Sequence, residues 1–237
     1  MRDLPSAEKN RLIAEWKTRL DSDWLRPGES VAWLMLPMRG YAGSIVAGGV
    51  TAPHIPSPGT RQWVDGPPNW PLPSDPVTSG TCMNDEWADD PSVVWWALAE
   101  AADRTAVRFA DHVAAAHGNI VVVLTSGRLA LVAEQGKIDD DPQPDGEPTG
   151  WLGRARAAAA QVQKTAEGLG SRKDAKLPIS YFEVPVGDIA AVDSRRTGRS
   201  IPHSHFLEVN FTDRSTLLIR KMTAGNYVDK SGSLRRS

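Results

Sequence analysis

Cysteine is almost absent from this chain of 237 residues, because Cys82 is the only one. The chain therefore cannot form an internal disulfide or a metal site built from several cysteines. Long apolar runs are missing as well, since no stretch reaches the roughly 18 apolar residues that a membrane-spanning helix needs. Residues 1–16 are charged and lack the apolar core of a secretory signal. We expect a cytoplasmic protein without a transmembrane segment.

Motifs for phosphate binding and catalysis are also missing. Neither GxxxxGK nor GxGxxG occurs between a predicted strand and a predicted helix. His203 and His205 would share one face of a strand, as metal ligands must, but no third ligand can be named. Cys82 could be combined on paper with His54 or His112 as nucleophile and base, without a supporting motif. We expect no enzymatic activity, no cofactor and no bound metal.

Acidic and basic residues are distributed unevenly. Residues 1–149 contain 12 Lys and Arg against 21 Asp and Glu, whereas residues 150–237 contain 15 against 8. Opposite charges on the two halves suit either an anionic partner or electrostatic attraction between the halves. Both interpretations stay open at this point.

The start of the chain predicts a helix followed by a strand. Apolar residues at three- and four-residue intervals predict an amphipathic helix over residues 5–20, within an N-terminal segment that extends over residues 1–29. A short apolar run that ends at Pro37 predicts the first strand, residues 30–36. This strand opens a predicted domain that extends over residues 30–222.

Three insertions are predicted inside that domain, and two of them precede residue 120. Residues 41–90 are dense in Pro and Gly and predict an inserted loop, either disordered or laid as an ordered cover over a surface. An apolar stripe that begins after Pro91 and stops at Gly118 predicts one long helix over residues 91–117.

The second half of the chain predicts mostly strands. Two apolar runs, residues 120–124 and 129–133, flank a Ser-Gly turn pair and predict a hairpin. An Ala-rich segment predicts a helix over residues 151–169, and residues 223–237 predict a polar tail. Four further strands are predicted at residues 179–184, 189–195, 205–211 and 216–221.

Three strand-and-turn segments resemble bacterial pleckstrin-homology-like (PH-like) and GRAM-like domains. They are residues 120–129 (IVVVLTSGRL), 182–192 (FEVPVGDIAAV) and 206–215 (FLEVNFTDRS). The resemblance implies an α+β fold with an antiparallel β-barrel of about seven strands. It also implies a non-enzymatic binding module, since such domains bind phospholipid headgroups, peptides or other proteins.

Two groups of residues are candidate binding sites. Arg195, Arg196, Arg199 and His203, which we call the basic loop, could hold an anionic lipid headgroup, although a solvated strand edge explains the same charges. The tryptophan group, Trp63, Trp70, Trp95 and Trp96, could meet a protein partner or a second copy of the chain. Alternatively, a tryptophan that points away from the core lies beneath the Pro-rich segment. We expect no nucleic acid among the partners.

Overall fold

The computed structural model describes residues 5–66, 69–139 and 176–232, and these residues confirm the α+β class. The predicted Ala-rich helix over residues 151–169 lies outside the described residues. The helices are α1 (Ser6–Asp23), α2 (Asp75–Thr78), α3 (Thr105–Ala115) and α4 (Ala224–Gly232). None of them combines the length and the hydropathy that crossing a bilayer requires.

The strands agree with most of the runs predicted from sequence. The first predicted strand, the early hairpin and the four late strands are all confirmed, with ends that shift by one or two residues. The strands are β1 (Val31–Met35), β2 (Tyr41–Val46), β3 (Gly49–Thr51), β4 (Gln62–Trp63), β5 (Val93–Ala99), β6 (Val121–Thr125), β7 (Arg128–Glu134), β8 (Ile138–Asp139), β9 (Pro178–Pro185), β10 (Ile189–Thr197), β11 (Ser204–Phe211) and β12 (Thr216–Arg220).

The strands form two main sheets and one small pair. The first sheet has the antiparallel order β1-β6-β7-β9, and the second has the order β10-β11-β12-β5-β2-β3, with β2 and β5 parallel. The short strands β4 and β8 pair separately. No hydrogen-bonded strand pair joins the two main sheets within the described residues. The predicted single antiparallel barrel is therefore not confirmed.

The main hydrophobic core lies between the two sheets and is completed by α3. Val107, Phe109 and Val113 of α3 are buried against both sheets. A second cluster lies on the outer face of the first sheet, where Leu20 of α1 is fully buried. The layers place the C-terminal end of α3 beside β2, which is where the candidate site lies.

The prediction of one long helix over residues 91–117 is wrong. Its first part is the strand β5, and only Thr105–Ala115 is helical. The sequence of β5, VVWWALA, is rich in β-branched and aromatic residues, which favour strands, and its many neighbours in the sheet outweigh the helical preference of its alanines. Asp213 then starts α3 by accepting a hydrogen bond from the Thr105 N–H at 2.7 Å.

The prediction of an uninterrupted loop over residues 41–90 is also wrong. Strand β2 lies inside the second sheet, between β3 and β5. It fits there partly because Gly43 lacks a side chain: a Cβ at this position would lie 2.6 Å from the ring of Trp96. The described residues that follow β3 in this segment, 52–66 and 69–90, are called the Pro-rich cover, and its residues Val77 and Trp87 pack on Trp96.

The predicted polar tail, residues 223–237, contains the helix α4 over its first part. Tyr227 of α4 contacts the ring of Trp33 edge-to-face at 5.3 Å, and Ser231 Oγ accepts the Trp33 indole N–H at 2.8 Å. The helix contacts β1 of the first sheet and β10 and β11 of the second. A few apolar residues among polar ones suffice for this docking, which is why composition alone misses it.

Candidate functional site

A cleft of about 290 Å³ opens where the C-terminal end of α3 meets β2 and the segment that follows β3. Its lining combines two aromatic rings, two imidazoles and one amide, from Tyr41, Trp70, His54, His117 and Gln62. The remaining lining residues are small or apolar: Gly40, Ala42, Pro53, Pro56, Val113, Ala114, Ala115 and Gly118. This mixture of apolar surface with a few polar groups is typical of small-molecule sites.

The aromatic wall of the cleft is held in place by its own contacts. The rings of Tyr41 and Trp70 meet edge-to-face, with centroids 5.6 Å apart. The Tyr41 hydroxyl also donates a hydrogen bond to the backbone carbonyl of Trp70 at 3.0 Å. The wall is therefore formed before any ligand arrives.

Beneath the cleft, three polar side chains form a buried network. Ser44 Oγ lies 2.8 Å from His54 Nδ1, and His54 Nε2 lies 2.7 Å from Asp111 Oδ1. Asp111 also accepts the backbone N–H of Ser57 at 3.0 Å. Burial opposes ionisation of Asp111, but hydrogen bonds from His54 and Ser57 outweigh it and hold the pKa of this carboxyl below its ordinary value. The network ties the cleft segment around His54 to β2 and α3.

A serine, a histidine and an aspartate in hydrogen-bond contact are also the side chains of acyl-transfer sites. A nucleophile must reach its substrate, however, and the Ser44 side chain is not part of the cleft lining. Ser44 is only 3% exposed, in the middle of β2. Both ring nitrogens of His54 are engaged by Ser44 and Asp111. The network therefore anchors the wall of the cleft.

Helix α3 ends at the cleft in a Schellman motif. The Gly118 N–H bonds to the Val113 carbonyl at 3.0 Å and the His117 N–H bonds to the Ala114 carbonyl at 3.0 Å. His117 occupies the left-handed position of this motif, with a φ of 50° in the region that favours glycine.

The residue after His117 has to be glycine, because a Cβ at Gly118 would lie 2.6 Å from the Met38 carbonyl oxygen. The chain thus places a histidine, not the usual glycine, at the one helix end that borders the cleft.

His117 is half-buried and borders the cleft, and its imidazole forms no hydrogen bond with another described residue. Burial lowers the pKa of His117 because a charged ring would lose hydration. A lowered pKa favours the neutral ring, in which one nitrogen donates and one accepts.

The structure pairs two of the four basic-loop residues with carboxylates of the chain itself. Arg199 contacts Glu86 at 2.7 Å and Arg195 contacts Glu208 at 3.5 Å. Arg196 is exposed on β10, and His203 Nδ1 lies 2.9 Å from the Gly198 carbonyl. Two of the three arginines lie on β10, not in a loop as predicted. An anion site at these residues stays a prediction.

The backbone of the same region binds two carboxylates of the Pro-rich cover. Asp85 accepts hydrogen bonds from Thr197 Oγ at 2.9 Å and from the Gly198 N–H at 2.8 Å. Asp89 accepts the N–H groups of Arg199 at 2.7 Å and of Ser200 at 3.0 Å. We call this contact the acidic latch. The donors of the latch are uncharged, and the ion pair of Arg199 with Glu86 beside it is the contact here that joins opposite charges of the two halves.

The tryptophan group is mostly interior. Trp95 and Trp96 are fully buried and Trp63 is 8% exposed, so their side chains do not offer a surface to a partner in this structure. Trp95 and Trp96 point to opposite faces because they lie on a strand. Trp96 lies beneath the Pro-rich cover, and its ring meets that of Trp87 edge-to-face with centroids 4.9 Å apart. This agrees with the alternative in which a tryptophan that points away from the core lies beneath the Pro-rich segment. Trp70 alone lines the cleft.

Sequence reasoning missed the network of Ser44, His54 and Asp111 as a unit. The three residues are 10 and 57 positions apart along the chain, so no local motif joins them. One signal was present: Asp111 lies one turn after Val107 on the buried face of α3. A carboxylate on an apolar helix face needs a buried partner, and His54 is that partner.

No family model, curated protein or solved structure matches the chain.

Proposed function

We propose that the chain is a non-enzymatic binding protein that takes a small, uncharged molecule into the cleft at the end of α3. The observation that carries the proposal is the cleft itself, with a preformed aromatic wall, an anchored His54 and the unengaged imidazole of His117. Such a combination favours a ligand with an apolar body and a polar edge.

The charge of the ligand follows from the lining. No Asp, Glu, Lys or Arg contributes to the lining among the described residues. A charged ligand would lose its hydration on entry without gaining a partner of opposite charge. The aromatic wall of Tyr41 and Trp70 favours a flat molecule that can pack against a ring.

The absence of catalysis is part of the proposal. The only hydroxyl in the network, that of Ser44, lies beneath the lining and not in it. Binding energy in the cleft would therefore be used for recognition.

We also propose that the fold is a variant of the PH-like class. The consecutive antiparallel strands β10, β11 and β12, followed by a helix that contacts both sheets, support this assignment. The parallel pair of β2 and β5 is a departure from the pattern. An experimental structure in which α4 is displaced from the two sheets would contradict the assignment.

The binding proposal can be tested by ligand-observed ¹⁹F NMR on the full chain. The probes are 5-fluoroindole as a neutral fragment and 4-fluorobenzoate and 4-fluorobenzylamine as charged ones. Ala114→Leu places a larger side chain in the cleft, and Trp70→Ala removes part of its wall. Ala102→Leu, at an exposed alanine outside the cleft, is the matched control.

We expect the neutral fragment to broaden with the wild type and with the control, and to lose this broadening with both cleft variants. Thermal unfolding of each variant shows that the fold is retained. Equal broadening with the cleft variants, or broadening only of the charged fragments, would overturn the proposal.

A further inference from the structure

The polar groups that the cleft leaves open include two hydrogen-bond acceptors. The side-chain amide of Gln62 donates one N–H to the Thr60 carbonyl at 2.8 Å, which leaves its carbonyl oxygen and its second N–H available. The neutral imidazole of His117 contributes one acceptor nitrogen beside its N–H. His54 offers the ligand neither a donor nor an acceptor, because Ser44 and Asp111 engage both of its ring nitrogens. A ligand edge that carries a donor complements this set.

The backbone at His117 gives an independent reason to assign it a role. A non-glycine residue in the left-handed region costs stability, and such residues are enriched at functional sites. Glycine would satisfy the Schellman motif at this position at lower cost. The side chain of His117 makes no hydrogen bond among the described residues that would offset that cost.

We infer that His117 is the polar anchor of the cleft and accepts a hydrogen bond from an N–H or O–H donor on an uncharged planar ring. This inference rests on the proposed function and adds the chemical class of its ligand. The ring of the ligand packs against the wall of Tyr41 and Trp70, and its donor edge faces the end of α3. A ring that lacks the donor leaves the imidazole unpaired.

The test compares three ring probes on the full chain by ligand-detected NMR titration. Indole carries the N–H donor, 1-methylindole lacks it, and 3-methylindole keeps it while matching the added methyl group. The variants are His117→Gly, which removes the imidazole, and His117→Asn, which keeps an acceptor and tolerates the left-handed backbone.

Loss of one hydrogen bond corresponds to roughly 3- to 10-fold in affinity. We therefore expect the wild type to bind indole and 3-methylindole roughly 3- to 10-fold more tightly than 1-methylindole. His117→Gly is expected to abolish this preference without lowering the melting temperature, and His117→Asn to retain it.

The outcomes separate the two proposals. If all three probes bind the wild type equally and the cleft variants abolish binding, the inference about His117 is wrong and the proposed function stands. If none of the probes binds, both are wrong. If His117→Gly keeps the preference for indole, the donor is recognised elsewhere and the inference is overturned.

Discussion

Asp111→Asn tests whether the buried network holds the cleft wall. Asp111 is 3% exposed and accepts hydrogen bonds from His54 and from the backbone of Ser57. Both bonds reach the same oxygen, Oδ1, so the carbonyl oxygen of asparagine can still accept them. What asparagine loses is the negative charge that strengthens both bonds, which costs about 1–2 kcal/mol. That corresponds to a fall of about 2–8 °C in melting temperature for a chain of this size.

The assay is urea unfolding followed by far-ultraviolet circular dichroism, with Asp103→Asn as the control. The side chain of Asp103 is 85% exposed and forms only a long contact with Arg104, so its replacement is expected to change stability by less than about 0.5 kcal/mol. A double-mutant cycle with His54→Ala should give a coupling of at least about 1 kcal/mol. If Asp111→Asn is no more destabilising than the control, the network does not hold the wall.

Three further predictions follow from other contacts. The pKa of Asp213 falls from 3.8 to about 2, because hydrogen bonds outweigh the opposing effect of burial. Its contribution, about 1–2 kcal/mol after solvent screening, should be complete above pH 4 and lost as the pH falls towards 2, and Asp213→Asn should remove this part of the pH dependence of unfolding. Gly198→Ala would place a Cβ 2.1 Å from Asp89 Oδ1, at a φ of 98°. It should therefore destabilise the acidic latch by about 1–3 kcal/mol in urea unfolding, whereas Gly187→Ala, with open space around it, should not. Because two of the three arginines of the basic loop, Arg195 and Arg199, already contact Glu208 and Glu86, charge reversal of all three should leave sedimentation with anionic liposomes unchanged. Loss of salt-sensitive binding would instead establish a headgroup site.

Local patterns predicted the strands better than they predicted the helices. The early hairpin and the late one were predictable because β-branched runs flank short turns, and both strand pairs are antiparallel neighbours in the structure. The prediction of one helix over residues 91–117 was wrong because the strand β5 and the helix α3 follow each other within a few residues. The alanines around Trp95 and Trp96 are compatible with a helix until the neighbouring strands are known.

The candidate site was not predictable from the sequence because its parts come from distant segments. His54 follows β3, Asp111 lies on α3, and Tyr41 begins β2. Only the packing of α3 over the second sheet brings these residues together. The left-handed backbone of His117 is likewise set by the helix end and by the close contact of Gly118 with Met38.

The most direct test of the cleft uses the five histidines of the chain as reporters. Only His54 and His117 line the cleft among the described residues, whereas His112, His203 and His205 lie outside it. With ¹³C-labelled histidine, addition of indole should shift the ring signals of His54 and His117 and leave the other three unchanged. A shift confined to the three outside histidines, or no shift at all, would contradict the account.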